Sequence, residues 1–312
     1  MNDGDKTRFV YGPVPSRRLG FSLGVDILPF KTCTLDCIYC QLGPTPRPFS
    51  RRRAYFSTRD VLTQIRQALE KGGRIDVITF SGSGEPTLNK NLGPIIRGIK
   101  KMTRIPVAVL TNGTLLYRKE VREDLLAADL VVPSLDAATA SVFRTVNRPH
   151  RSLKSDRILD GLLKFRREYQ GQIWLEIMLV KGINDRPGDI RSFKKIVDAV
   201  RPDRVHLNTV VRPPADSRAR PLSMKELERI RASLGDSVEI VASSRKRTRR
   251  KARTDLDQAI LGMIRRRPVT LEDISLSLGA HRDEILKTLD LLLDGQKIRC
   301  LRHGRKIFYK AA

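Results

Sequence analysis

The sequence predicts an α/β fold built around a parallel β-sheet, followed by a small C-terminal domain. Through residues 10–242, short β-rich runs alternate with amphipathic helical stretches, the pattern of parallel strands joined by helices. The β-rich runs are almost continuously apolar, as expected for strands covered on both faces. After a basic run at residues 243–253, the pattern changes to helices followed by a hairpin. Doubly wound and barrel topologies both fit this alternation.

Six strands are predicted in the first part of the chain, each rich in Val, Ile and Leu. They cover residues 22–28, 75–81, 105–111, 130–135, 173–180 and 204–210. Amphipathic helices are predicted between them, at residues 58–71, 92–102, 118–128, 155–167 and 189–200. In parallel sheets functional residues gather where strands end and loops begin, so a site is expected at these strand ends.

Residues 243–253 contain seven basic side chains and no acidic one. Such a run repels itself and has nothing to bury, so it predicts a solvated linker between two domains. Residues 254–312 then predict three helices, at 255–264, 270–278 and 283–293, and a hairpin of strands at 297–301 and 306–309. Three helices and a hairpin resemble a winged-helix domain, an architecture with many uses.

Composition excludes several protein classes. The 312 residues include 60 Lys and Arg against 34 Asp and Glu, a formal net charge of +26, and 40% are hydrophobic, enough to bury a core. No apolar run approaches the roughly 20 residues that span a bilayer, and the first residues lack the apolar segment of a secretory signal. Four cysteines, three of them within eight residues, do not suit a disulfide framework. The sequence therefore predicts a cytoplasmic protein.

Cys33, Cys37 and Cys40 lie just after the first predicted strand, and three thiols on one tight loop can bind a soft metal. A structural zinc site normally takes four protein ligands. No histidine lies nearby in sequence, and Cys300 belongs to the other domain, where we expect it to be a small buried residue in a strand. An iron–sulfur cluster held by three cysteines would leave one iron open for another ligand. A zinc loop is the alternative.

Polar residues follow three more predicted strands. They are Ser81-Gly82-Ser83-Gly84-Glu85-Pro86-Thr87 after the second strand, Thr111-Asn112-Gly113 after the third and Ser134-Leu135-Asp136 after the fourth. Glu176, Asn184 and Asn208 are weaker candidates for the same pocket. Each cluster alone could be an ordinary turn. Together they indicate a functional site, because all of them lie at the same edge of the predicted sheet. The Arg17-Arg18 pair could bind a carboxylate or phosphate near the mouth of a barrel, although arginine pairs are mostly surface residues.

The three cysteines, the aromatic Tyr39 just before Cys40 and the polar strand ends together resemble the radical S-adenosylmethionine (radical SAM) superfamily. The resemblance covers residues 10–242 and implies a partial parallel (β/α)6 barrel. Ser83 stands where the family's Gly-Gly-Glu motif has its first glycine. Residues 11–20 and 208–214 are also similar to a branch related to the wyosine-forming tRNA enzymes and to a nitrogenase-cofactor maturation protein.

This resemblance implies that Cys33, Cys37 and Cys40 hold a 4Fe–4S cluster, whose fourth iron is chelated by S-adenosylmethionine. One electron would cleave the sulfonium to a 5′-deoxyadenosyl radical that abstracts a substrate hydrogen. Glu85 would hold the methionine amino group, and Tyr39 would lie near the adenine. The implied cofactor-binding residues are Tyr39, Gly84, Glu85, Thr111, Asn112, Ser134, Asp136 and Asn208. A low-potential electron donor, such as a flavodoxin or ferredoxin, is the implied partner.

The positive charge favours a phosphate-bearing substrate, and we expect RNA or another nucleic acid to be modified by hydrogen abstraction. A solvated basic linker without a partner is the plainer interpretation of the charge. Asp283, Glu284 and Asp290 make the presumed recognition helix acidic, which weakens a DNA-reading role. A peptide or protein captured by the C-terminal domain is the alternative substrate. A third hypothesis is an iron–sulfur redox-sensing DNA-binding regulator, which would not need the polar strand ends.

Overall fold

Eight strands form one sheet whose spatial order follows the order of the chain. The computed structural model describes residues 8–16, 18–235, 237–242, 256–280, 282–304 and 306–312. The strands are β1 (Val10–Ser16), β2 (Gly20–Val25), β3 (Val77–Phe80), β4 (Val107–Thr111), β5 (Leu130–Pro133), β6 (Gln172–Leu179), β7 (Arg204–Thr209) and β8 (Val238–Ile240). β1 pairs antiparallel with β2, and every later neighbour pair is parallel. This sequential order is that of a barrel wall, because a doubly wound sheet would reverse its order partway.

Seven helices connect or follow the parallel strands. They are α1 (Thr58–Glu70), α2 (Leu92–Met102), α3 (Lys119–Leu125), α4 (Ala140–Val146), α5 (Ser155–Glu168), α6 (Pro187–Val200) and α7 (Met224–Leu234). Three of them begin with a side-chain cap: Ser57 caps α1, Thr139 caps α4, and Ser223 forms a reciprocal capping box with Glu226 at α7. No helix in the described ranges is long and apolar enough to span a bilayer.

The two faces of the sheet differ in character. Alternate strand residues such as Ile78 and Phe80 point toward the helices and are fully buried in the main hydrophobic core. The opposite face has a smaller apolar cluster that includes Ala108 and Val132. There the Ser22 hydroxyl donates to the Thr79 hydroxyl over 2.7 Å. The inner face is therefore the more polar one, as expected where a barrel wall surrounds a site.

The predicted α/β class with a partial parallel barrel is confirmed, and β2 to β7 correspond to the six predicted strands. The sequence analysis missed β1, β8, α4 and α7. β1 carries Pro13 and Pro15, which disfavour an interior strand and are tolerated here because β1 lies at the edge of the sheet. β8 has only three residues, too few for a periodic signal.

The C-terminal domain has its own hydrophobic core. It contains α8 (Leu256–Ile264), α9 (Leu271–Leu278) and α10 (Arg282–Asp294), followed by the antiparallel pair β9 (Ile298–His303) and β10 (Lys306–Ala311). Thr270 caps α9 in a reciprocal capping box with Asp273. Residues 243–253, the predicted linker, lie outside the described residues, and the division into domains stays a prediction. Cys300 is exposed on β9, so the expectation that it is buried was wrong: it pairs with the buried Tyr309 of β10, but the helices of this domain do not cover it there.

Gly161 lies where α5 meets the loop before α3, and a Cβ there would stand 2.3 Å from the Tyr117 backbone nitrogen and 2.6 Å from the Leu116 carbonyl carbon. Because backbone cannot yield as a flexible side chain does, we expect Gly161→Ala to lower the free energy of unfolding by about 1–3 kcal/mol. Gly188 in α6 has no heavy atom nearer than 3.9 Å to such a Cβ. Gly188→Ala should leave the stability unchanged or raise it by up to about 1 kcal/mol. Urea unfolding measures both, and equal effects would contradict the prediction.

Candidate functional site

A cavity of about 390 Å³ lies at the carboxyl ends of the parallel strands. Eleven residues were assigned to the cluster or the cofactor, and nine of them line this cavity: Cys33, Tyr39, Cys40, Gly84, Glu85, Thr111, Asn112, Ser134 and Asn208. Cys37 and Asp136 are not among the lining residues. Of the two further candidates, Glu176 lines it and Asn184 does not. The strand-end argument therefore brings together side chains that are far apart in the chain.

Each of the three loop cysteines has one nitrogen donor directed at its sulfur. Asn112 Nδ2 lies 3.5 Å from Cys33 Sγ, and Lys31 Nζ lies 3.2 Å from Cys40 Sγ. Asn147 Nδ2 lies 3.4 Å from Cys37 Sγ. Such donors favour the thiolate, which is the form that binds metal. The surroundings of the cysteines thus suit a group that carries positive charge and binds three thiolates.

Burial acts in the opposite direction on two of these thiols. It raises the pKa of Cys33 to about 12 and raises the pKa of Cys37 well above its usual value. The thiols therefore need a metal to become thiolates at neutral pH. Within the described parts of the chain, no three His, Cys, Asp or Glu side chains are arranged to bind one metal ion together. In an iron–sulfur cluster each thiolate binds a different iron, so three cysteines need not converge on one metal ion.

Residues 31–40, which carry the three cysteines and which we call the cysteine loop, are held against the segment Ser81-Gly82-Ser83-Gly84-Glu85, which we call the glycine loop. Lys31 N donates to Ser83 O over 2.7 Å, and Glu85 N donates to Thr32 O over 3.0 Å. A Cβ on Gly84 would stand only 1.8 Å from the Thr32 carbonyl oxygen. Gly84 is therefore required for close contact between the two loops, rather than for backbone freedom.

Ser83 occupies the position at which the resemblance leads one to expect glycine, and the structure gives it a partner. Its backbone nitrogen and its hydroxyl both donate to Asp26 Oδ2, over 2.9 and 2.6 Å. Gly82 precedes it with φ near +140°, and a Cβ there would stand 2.4 Å from Asp26 Oδ2. The departure from the expected glycine thus adds a hydrogen bond that holds the loop.

Glu85 is 2% exposed and accepts four hydrogen bonds. Oε1 accepts from the Thr87 nitrogen and hydroxyl and from the Thr111 hydroxyl, over 3.1, 2.6 and 2.6 Å. Oε2 accepts from the Asn112 nitrogen over 2.6 Å. Burial raises the pKa of Glu85, and these hydrogen bonds oppose that rise. Oε2, with one bond from within the protein, keeps acceptor capacity for a ligand in the cavity.

Asp136 lies behind Tyr39 rather than in the cavity wall. Its carboxylate accepts a hydrogen bond from the Tyr39 hydroxyl, from Asn147 Nδ2 over 2.8 Å and from Met178 N over 3.1 Å. Burial raises the pKa of Asp136 to about 6. Asn184 is fully buried and binds the carbonyl oxygens of Asp136 and Met178, each over 2.8 Å. Asp136 and Asn184 therefore support the wall of the cavity from outside it.

An ion pair also lines the cavity. Arg18 Nη2 lies 2.7 Å from Glu176 Oε2, and Asn208 Nδ2 donates to Glu176 Oε1 over 2.9 Å. Of the two positions considered for Arg18, the surface was the more expected one, but its guanidinium binds a carboxylate at the cavity, that of Glu176. Arg17 lies outside the described residues. Lys31 and Asn147 were missed. Lys31 stands two residues before Cys33, a signal that could have found it, whereas Asn147 has no such signal in sequence.

Comparison with known proteins relates this site to established families. The sequence profile of the radical SAM superfamily matches residues 27–193. A UPF0026 protein of Helicobacter pylori strain J99 is 34% identical over 308 residues, 97% of each chain. GTPase Obg of Brachyspira hyodysenteriae is 39% identical over 297 residues, which are 94% of this chain but only 44% of that protein. The structure of TYW1 with a lysine-pyruvate adduct bound shares the fold, with TM-score 0.53 and 19% identity over 68% of this chain and 72% of that one.

His206 on β7 is 1% exposed, and neither ring nitrogen has a hydrogen-bond partner among the described residues. Burial, aided by the charge of Arg18, lowers its pKa to about 4. The unfolded chain therefore binds a proton more tightly than the folded protein, and stability is lost as the pH falls from about 6.5 toward 4. Relative to His206→Gln, the wild type should lose about 3 kcal/mol between pH 7 and pH 4. Chemical unfolding across this range measures the difference; parallel pH profiles would contradict it.

Proposed function

Because this chain belongs to the radical SAM superfamily, we propose that Cys33, Cys37 and Cys40 hold its 4Fe–4S cluster and that the adjoining cavity holds S-adenosylmethionine. The protein is an enzyme, and members of its family bind these two cofactors. The observation that carries the assignment is the set of three half-buried thiols, each with its own nitrogen donor. When bound, the cluster would supply the electron that cleaves the sulfonium to a 5′-deoxyadenosyl radical.

The residues of the chain would then bind and orient S-adenosylmethionine and shield it from water. Three thiolates leave one iron for the amino and carboxylate groups of S-adenosylmethionine. Glu85 Oε2 would accept from the ammonium group of that molecule, while Asn112, which donates to the same carboxylate, fixes its orientation. Tyr39, held by Asp136, would cover one side of the cavity. Thr111, Ser134 and Asn208 would supply further polar contacts to its carboxylate or ribose.

An external electron donor is required by enzymes of this family. The one further cysteine in the sequence is Cys300, so the chain has too few thiols for a second cluster of its own. We therefore assign the donor to a separate low-potential protein, such as a flavodoxin or ferredoxin.

For the substrate we propose RNA or another nucleic acid. Besides the net charge of +26, support comes from a cleft of about 540 Å³ beside α4 and α5. Arg144, Arg151 and Lys154 line it, and none of them forms an ion pair with the described residues. We call this the basic cleft. Three unpaired cations in one cleft are suited to bind a phosphate backbone.

The basic cleft adjoins the cysteine loop through residues 147–150. His150 N donates to Thr34 O over 3.0 Å, and Asp36 N donates to Asn147 O over 3.0 Å. Arg148 Nη1 also lies 3.6 Å from Asp36 Oδ2. A polyanion bound in the cleft would therefore lie next to the segment that carries the three cysteines.

The cluster assignment is tested anaerobically, with iron and sulfide reconstitution followed by dithionite and S-adenosylmethionine. Wild type should form a cluster and release 5′-deoxyadenosine, detected by mass spectrometry. Cys37→Ala should bind less iron and give no detectable product, because one of three ligands is lost. Cys300→Ala is the matched control and should behave as wild type, since Cys300 is exposed on β9. A folded wild-type protein that assembles no 4Fe–4S cluster would refute the assignment.

The substrate proposal is tested by neutralising the basic cleft with Arg144→Gln, Arg151→Gln and Lys154→Gln together. We expect RNA affinity at about 0.1 M salt to fall by about tenfold or more, and the log–log salt slope to become shallower by about 2 units. The control is the triple change Lys195→Gln, Lys225→Gln and Arg229→Gln, which removes the same charge from exposed positions on α6 and α7. Fluorescence anisotropy with a labelled single-stranded RNA measures both proteins.

Equal losses in the two triple variants would show that only net charge matters and would contradict a specific cleft. Stimulation of 5′-deoxyadenosine release by RNA pools supports the nucleic-acid proposal. Stimulation by peptide pools instead would favour the peptide or protein alternative.

A further inference from the structure

The C-terminal domain contacts the edge strand of the sheet through an arginine. Arg266, in the segment between α8 and α9, places its guanidinium carbon 4.1 Å from the centre of the Tyr11 ring on β1. Arg266 Nη1 donates to Gly262 O over 2.5 Å, which fixes the guanidinium relative to α8. Its Nε is buried and has no hydrogen-bond partner in the described part of the chain. The contact is thus a desolvated cation lying on an aromatic face.

Tyr11 transmits this contact to the glycine loop. Its ring occupies the space above Gly24, where a Cβ would stand 2.0 Å from the ring. Its hydroxyl lies 3.0 Å from the Ser81 hydroxyl, at the first residue of the glycine loop. The position of the Tyr11 ring therefore fixes where the glycine loop begins.

Asp26 provides a second connection to the same loop. Its Oδ2 accepts from the Ser83 nitrogen and hydroxyl. Burial raises the pKa of Asp26, and the Ser83 hydrogen bond and the positive charge of Arg266 both oppose this rise. Arg266 thus helps to keep the carboxylate charged, and a charged carboxylate binds the Ser83 donors more strongly.

We propose that Arg266 of the C-terminal domain is a positioning residue for the glycine loop, so that this domain completes the S-adenosylmethionine site of the barrel. The proposal rests on the function proposed above. Arg266 touches neither the cavity nor the cysteines; it acts through Tyr11 and Asp26 on Ser81 and Ser83. A domain that merely packed against the barrel would leave the loop unchanged when this one contact is removed.

The test compares Arg266→Met with Arg265→Met in the full chain. Arg265 is the neighbouring residue and is exposed, so the two changes remove the same charge from the same segment. In protein without cofactors, hydrogen–deuterium exchange should become faster at residues 81–85 in Arg266→Met and stay at the wild-type rate in Arg265→Met. In reconstituted protein with equal iron content, the dissociation constant for S-adenosylmethionine should rise by about tenfold in Arg266→Met only. Arg266→Lys keeps a cation over the ring and should restore part of the affinity.

Wild-type exchange at residues 81–85 together with wild-type affinity in Arg266→Met would overturn the proposal. If exchange shows that the C-terminal domain of Arg266→Met has unfolded, Tyr11→Phe decides, because it keeps the aromatic face and removes only the bond to Ser81. Faster exchange at residues 81–85 in Tyr11→Phe then supports the proposal, and wild-type exchange overturns it. Failure of wild type itself to bind S-adenosylmethionine would refute the proposed function, while the exchange data would still test Arg266.

Discussion

The close contact between the cysteine loop and the glycine loop is the constraint on which the rest of the site depends. Backbone hydrogen bonds join the two loops on both sides of Gly84, and the space there admits no side chain. The cysteines follow β2 and the glycine loop follows β3, so the parallel pairing of these two strands brings the loops together. The thiols of the cysteine loop and the Glu85 carboxylate of the glycine loop are thereby held close together by rigid backbone, and not by the conformations of individual side chains.

Polar groups around the cavity form two sets, one that faces the cavity and one behind it. Residues that face the cavity, such as Glu85 and Tyr39, are oriented by partners that do not face it, such as Thr87 and Asp136. The partners are buried and bonded, which limits the rotamers open to the residues in front of them. Burial in this arrangement also explains why the pKa values of Tyr39, Glu85 and Asp136 are raised, since water is excluded from these three side chains.

Much of the fold could be predicted from sequence, because β/α alternation and apolar strands determine neighbouring elements locally. The fold class, the six central strands and membership of the radical SAM superfamily are confirmed. What failed depends on contacts between distant segments. Arg18 is drawn inward by Glu176 from another strand, and Asn147 reaches Cys37 across 110 positions of the chain. Cys300 was misjudged because a position on a two-stranded hairpin does not say how far the neighbouring helices cover it. The individual cofactor-binding roles and the domain boundaries stay predictions.

The ion pair between Arg18 and Glu176 connects distant parts of the barrel wall. β1 and β8 are the two edges of an open wall, and among the described strands they do not pair with each other. Arg18 belongs to the turn between β1 and β2, whereas Glu176 lies on β6, so their contact joins the first edge of the wall to its sixth strand across the cavity. Both side chains are at least 85% buried, which strengthens the attraction relative to a surface pair. A substrate that bound Arg18 or Glu176 in place of its partner would break this ion pair. The width of the opening between β1 and β8 would then depend on what the cavity holds.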